Sequence, residues 1–142
     1  MPPLTRWTIR LAMLYLVAGT ISGALYWLQL QYQWWRPLAA LNPVYVHLLV
    51  VGWLTQLIYG VIYWMFPIIS KTNMRGDPRL AWSAVILLNV GLLLRAISEP
   101  WRVMDANPTN GALLTLSAVL QGVAAWLIVL VCWPRVRERA GK

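Results

Sequence analysis

One histidine, one cysteine and four acidic residues stand in the 142 positions of this chain, so any chemistry it performs rests on very few groups. The histidine, His47, lies in the stretch PVYVHLLVVGWLTQLIYGVIYWMFP, residues 43–67. One imidazole makes no metal-site pattern, because closed zinc-type sites gather about four N or S ligands. On its chemistry alone, His47 is a neutral imidazole donating to a carbonyl or a Tyr hydroxyl inside a bundle. Arg95 is the other isolated polar group in an apolar run. A charge within a span costs ~3 kcal/mol on insertion scales. Arg95 offsets that cost by snorkelling, by pairing with Glu99 one turn later, or by serving a partner or pathway. Cys132, being single, can form neither an intrachain disulfide nor a thiol–disulfide couple. Asp77, Glu99, Asp105 and Glu138 all fall outside the first apolar run. That run therefore lacks the carboxylate a small proton-coupled exporter needs.

The elements that position these groups are helices in a bilayer. Of the residues, 60% are hydrophobic and 11% charged, where a soluble domain carries about a quarter charged. The charges sit in short clusters between long apolar runs, the composition of one small polytopic membrane domain. A spanning helix needs ~20 apolar residues at ~1.5 Å each. Residues 7–30, 43–66, 79–98 and 110–133 meet that requirement. Backbone groups in lipid must satisfy one another within a segment, so the fold expected is all-α, a four-helix transmembrane bundle. The opening MPPLTRWTIR precedes a run too long for a signal-peptide core and without a small-residue cleavage site, and reads as a retained first span.

The net charge of +8 lies beside apolar spans, which suits anchoring at an anionic leaflet better than a nucleic-acid surface. Arg6, Arg10, Lys71, Arg75, Arg79, Arg135, Arg137, Arg139 and Lys142 fall on one side of the four spans. Arg36, Arg95 and Arg102 fall toward the other. The bias predicts both termini and the middle loop in the cytoplasm. Trp34, Trp35 and Trp101 then mark the outer interface, and Trp64 and Trp133 the inner one.

At 100° per residue, Gly52, Gln56 and Gly60 share one stripe of the second span. His47 points nearly opposite, with Val51, Leu54, Thr55 and Ile58. Small residues let helix backbones approach closely, so the stripe is expected to pack on the first span at Gly19 and Gly23 of GTISG. Ala118 and Gly122 offer a similar patch on the fourth. His47 is expected about one turn inside the outer boundary, roughly level with Arg95.

The segment HLLVVGWLTQLIYGVIYWMFP followed by KTNMRGDPRLAW resembles proteins related to the haem-copper oxidase catalytic subunit. The similarity is to the cbb3-type and nitric-oxide-reductase-like branch and its small four-span relatives, and LYLVAGTISGAL carries a weaker likeness in the first span. In the large oxidases an early-span histidine near the outer face ligates a low-spin haem whose propionates meet arginines. The resemblance therefore implies haem b at His47, the propionates at Arg95, Arg102 and Arg36, and the macrocycle against Val51, Leu54 and Ile58. It also implies a multi-pass protein of a bacterial-type inner membrane. The later-span histidines for a second axial ligand, a high-spin haem and copper are missing, and some small relatives carry Glu where His47 stands. Oxygen or nitric oxide reduction by this chain alone is not expected.

Low-spin haem b takes two axial ligands. Two copies of His47 would supply both across the two-fold axis of a homodimer, where an isologous interface pairs a residue with itself. Met104 is the alternative sixth ligand within one chain, and a five-coordinate haem is a third arrangement. The competing reading is a cofactor-free accessory subunit that docks on a respiratory or photosynthetic complex through its Trp-rich outer loops.

Overall fold

A computed structural model describes residues 1–69 and 75–136. Lys71, Arg137, Glu138, Arg139 and Lys142, which enter the charge pattern, lie outside the described residues. Four helical rods are long and apolar enough to cross a membrane: Pro3–Tyr32, Arg36–Met65, Pro78–Met104 and Pro108–Arg135. The first is one helix, α1 (Pro3–Tyr32). The second is composite: a 3₁₀ turn (Arg36–Ala40), α2 (Leu41–His47), a π-helix (Leu48–Thr55) and α3 (Gln56–Met65). The third is α4 (Pro78–Met104), and the fourth is α5 (Pro108–Cys132) closed by a 3₁₀ turn (Trp133–Arg135). No strand occurs among the described residues.

The ends follow from local chemistry. Proline opens α1, α4 and α5, where its missing N–H would have had no partner. Asp77 caps α4 by accepting from the Arg79 N–H at 2.8 Å, and Asn107 caps α5 by accepting from Asn110 at 3.0 Å. Gln33 ends α1 in the left-handed region at φ 51°, its N–H donating to the Gln29 carbonyl. The second rod begins at Arg36, ahead of the expected Pro43. Pro37 sits in the opening 3₁₀ turn and Pro43 is the third residue of α2, still within a first turn that tolerates proline. His47 thus lies about three turns from the start of the rod. Similarly α4 runs through Pro100 to Met104, past the expected end at Ser98, because a proline this near a C-terminus removes only one late backbone bond.

The buried share of each rod's most apolar stretch is 33% for α4 and 28% for the second rod, against 17% for α1 and for the fourth. The two middle rods therefore form the centre. Rod two packs on α1 on one side and on α4 on the other, and α5 rests chiefly on α4. Lipid offers no hydrophobic drive between helices, so small residues set the contacts. Gly52 lies against Tyr15, where a Cβ would come within 2.7 Å of the ring, and Gly60 lies against Thr8. Gly19 meets Leu48 and Leu49, and Gly23 meets Tyr45. The glycine stripe of the second rod thus packs on the first span as expected, but against Tyr15 and Thr8 and not against Gly19 and Gly23, which receive Leu48, Leu49 and Tyr45 instead. Gly91 of α4 lies under Ser117 and Gln121 of α5. Ala118 and Gly122 differ from expectation: both are exposed, and a Cβ on Gly122 would meet nothing within 4 Å. The α5 interface instead uses the face of Ser117 and Ala124, both fully buried.

Two apolar clusters fix the ends relative to one another. Leu4, Tyr59, Tyr63, Ala81, Val85 and Val131 pack together at one end. Tyr15, Val44, Leu48, Leu88, Leu92 and Ala124 pack in the other half, with Leu41, Val51 and Ala96 against them. The rods consequently run up, down, up, down. Arg6, Arg75, Arg79 and Arg135 gather at the first end, the basic end, while Arg36 and Arg102 stand at the far end.

Candidate functional site

His47 closes α2 and immediately precedes the eight-residue π-helix. Its Nδ1 lies 2.8 Å from the carbonyl oxygen of Pro43, one turn earlier. A carbonyl can only accept, so Nδ1 carries the proton and donates. Nε2 then keeps its lone pair, and among the described residues it has no hydrogen-bond partner. This is the arrangement that metal-bound imidazoles adopt, with the remote ring nitrogen tied to a backbone carbonyl. The same bond equally satisfies a histidine that binds nothing. Below it, within the π-helix, Thr55 donates from Oγ1 to the Val50 carbonyl at 2.8 Å, five residues back.

The apolar residues of the predicted site divide. Leu54 and Ile58 are 45% and 48% exposed, facing outward from the bundle. Val51 is half-buried against the second apolar cluster. The face beside His47 is therefore an outer surface of the bundle and not a cleft within it.

The cations divide as well. Arg95 pairs with Glu99 at 3.0 Å, one turn along α4, and its Nε is buried without a partner. Arg36 and Arg102 are exposed at the far end. Arg36 lines two cavities of about 410 and 450 Å³, which share Gln33 and Val103; the second also takes in Trp34, Trp35 and Met104. His47 lines neither. Among the described residues, no group of three or more His, Cys, Asp and Glu could hold a metal ion.

No family model, curated protein or solved structure matches the chain. The geometry therefore carries the functional reading.

A buried polar chain escapes the sequence pattern. Tyr15 donates its hydroxyl to Asn89 Oδ1 at 2.7 Å, and Asn89 Nδ2 donates to Gln56 Oε1 at 2.9 Å and to the Val85 carbonyl at 2.7 Å. Gln56, fully buried, reaches the Thr8 carbonyl at 3.4 Å. Three rods are thus tied together in mid-bundle. A second tie joins α5 to α4, where Ser117 donates to the Gly91 carbonyl at 2.7 Å and accepts from Gln121 at 3.0 Å. Such bonds average about 0.6 kcal/mol in membrane bundles. A polar residue at the centre of an apolar run, as Asn89 is, was the available signal.

Proposed function

We propose that the chain is a membrane-embedded haem b-binding protein related to the oxidase catalytic subunit, serving electron transfer or haem-based sensing, with His47 as axial ligand. The observation that carries this is the Nδ1 bond to the Pro43 carbonyl, which orients the ring and leaves Nε2 as the donor. The outward, apolar placement of Leu54 and Ile58 supports a haem held on the surface of one bundle and covered by a second copy. Two His47 rings would then supply both axial positions, and Arg95, Arg36 and Arg102 would be the cations for its propionates. Arg95 would have to share its charge between Glu99 and a propionate. When bound, the haem supplies one-electron redox chemistry or a gas-binding iron. The residues of this chain orient it and exclude water. In this reading the basic end faces the cytoplasm of a bacterial-type inner membrane, following the positive-inside rule.

The test is a pyridine haemochrome assay on protein purified in mild detergent. A b-type spectrum with one haem per two chains is expected. Colourless protein, from cells supplied with haem, would overturn the reading.

A second reading has its own support. Trp34, Trp35 and Trp101 are all exposed at the far end, and His47 already has a hydrogen bond within its helix. A cofactor-free accessory subunit docking through those tryptophans on a larger respiratory or photosynthetic complex accounts for both. The same assay separates the two.

A further inference from the structure

The two ends of the bundle use their arginines differently. At the basic end, Pro67 forces Phe66 into an extended conformation, φ −65° and ψ 150°, and stops α3. Arg135, from the close of the fourth rod, donates there, Nη2 to the Phe66 carbonyl at 2.7 Å and Nε to the Pro67 carbonyl at 3.2 Å. It is 1% exposed, so this cation is engaged inside the protein.

At the far end the arginine stays at the surface. α1 closes at Gln33, whose left-handed backbone turns the chain back, and Arg36 opens the second rod three residues later. Gln29 and Gln33 stand one turn apart, so both amides share a face. With Arg36 they line a cavity of about 410 Å³, walled by Leu30, Ala39 and Val103. The second cavity, of about 450 Å³, shares Gln33, Arg36 and Val103 with it.

Gln29 decides what this space receives. It is 6% exposed, deep for a primary amide. Its Oε1 accepts from the Trp35 N–H at 2.9 Å, and an N–H only donates, so the amide cannot be turned the other way. Nε2 is thereby fixed as a donor, and it donates to nothing among the described residues. It is not one of the sealed, unpartnered atoms of the interior; its residue borders the cavity. Arg36 and Gln33 are exposed on the same cavity. The acids of this end line neither space: Asp105 accepts from Asn107 at 2.8 Å, and Glu99 is paired with Arg95. One guanidinium and two amides thus face a space that no carboxylate enters, a donor set suited to phosphate. Trp34 and Trp35, 63% and 58% exposed, set its level at the lipid headgroups. Leu30 and Val103, both exposed, supply its apolar wall.

We propose that Gln29, Gln33 and Arg36 hold the phosphate of a membrane phospholipid in the leaflet at the far end. The phosphodiester accepts from Gln29 Nε2 and the Arg36 guanidinium, and the acyl chains lie on Leu30 and Val103. The site is separate from His47, which lines neither cavity, and Arg95 and Arg102 remain for the propionates of a haem there.

The experiment compares retention of phosphatidylglycerol and of a phosphate-free galactosyl diacylglycerol by native mass spectrometry, with melting temperatures in the same detergent. The phospholipid is expected to be retained selectively. Gln29→Glu keeps the acceptor for the Trp35 N–H and turns the free donor into an anionic oxygen, so retention should fall about tenfold. Its melting in lipid-free detergent should not change. Gln31→Glu makes the same charge change two residues on, at an exposed position outside both cavities. Screened by solvent, it should alter retention less than about twofold. Arg36→Gln should weaken retention about fivefold, and it decides alone if Gln29→Glu melts lower. Equal losses in the two glutamate variants would overturn the site in favour of diffuse repulsion. Full retention in Gln29→Glu would leave that amide to the Trp35 turn alone and overturn the site as well. Equal retention of the galactolipid would overturn phosphate recognition. Inorganic phosphate at millimolar concentration giving the full melting shift, with no lipid retained, would overturn the lipid as occupant.

Discussion

Pro43 and His47 are joined by a hydrogen bond within one turn of helix, the ring Nδ1 donating to the proline carbonyl at 2.8 Å. That carbonyl retains a second lone pair, so the ring need not displace a backbone bond. The pairing fixes the tautomer of the single histidine before any partner arrives. A side chain that must present one nitrogen at a defined angle gains from this pre-organisation, since less rotamer freedom is lost on ligation.

The ligand role gives a test that a structural role would fail. His47→Gly is expected to lose the low-spin spectrum, and added imidazole is expected to restore it by occupying the vacated position. Loss without rescue, alongside an unchanged melting temperature, would argue against ligation.

Glycine positions should divide by what faces them. Gly52→Ala places a methyl within 2.7 Å of the Tyr15 ring and should destabilise the bundle by about 1–3 kcal/mol, the usual range for overpacking. Gly122→Ala meets nothing within 4 Å and should be neutral or slightly stabilising through helix propensity. Unfolding of purified protein in mixed micelles compares the two directly.

The polar chain should behave as a coupled unit. Asn89→Ala removes bonds to both Tyr15 and Gln56, at a cost of about 1–2 kcal/mol. In a double-mutant cycle, Tyr15→Phe should cost little once Asn89 is gone, because its acceptor is already absent. Additive losses would show that the bond contributes nothing.

Topology is open to labelling. With Cys132 replaced by serine, Trp35→Cys and Arg75→Cys should react with a membrane-impermeant thiol reagent from opposite faces. The positive-inside rule places Trp35 outside and Arg75 inside. The reverse pattern would invert the proposed orientation.

The spans and the glycine stripe were legible because each depends on one helix alone: an apolar run of sufficient length, or small residues four apart. The π-helix was not. LLVVGWLT has no proline, and its glycine reads as a packing residue of an ordinary α-helix. The partners of Asn89 and Arg135 were not legible: Arg135 read only as one of the basic residues of one side, and its acceptors lie 68 and 69 residues away. Such pairings depend on the register between rods, which periodicity along one rod does not contain. The vacant face at Gly122 has the same cause. Two small-residue patches exist on α5, and only the packed structure distinguishes the one that is used.

The bond from Arg135 to the carbonyls of Phe66 and Pro67 also sets an order of assembly. The second rod cannot finish its own end; it waits for a residue 68 positions downstream. At ordinary synthesis rates of ~5–20 residues per second, that delay is roughly 3 to 14 s. During this interval the two carbonyls have only water or lipid headgroups to accept from. The chain therefore passes through a stage in which three rods exist and the fourth has yet to lock the second, a period when a truncation, a stalled ribosome or a premature stop would leave the basic end unsealed.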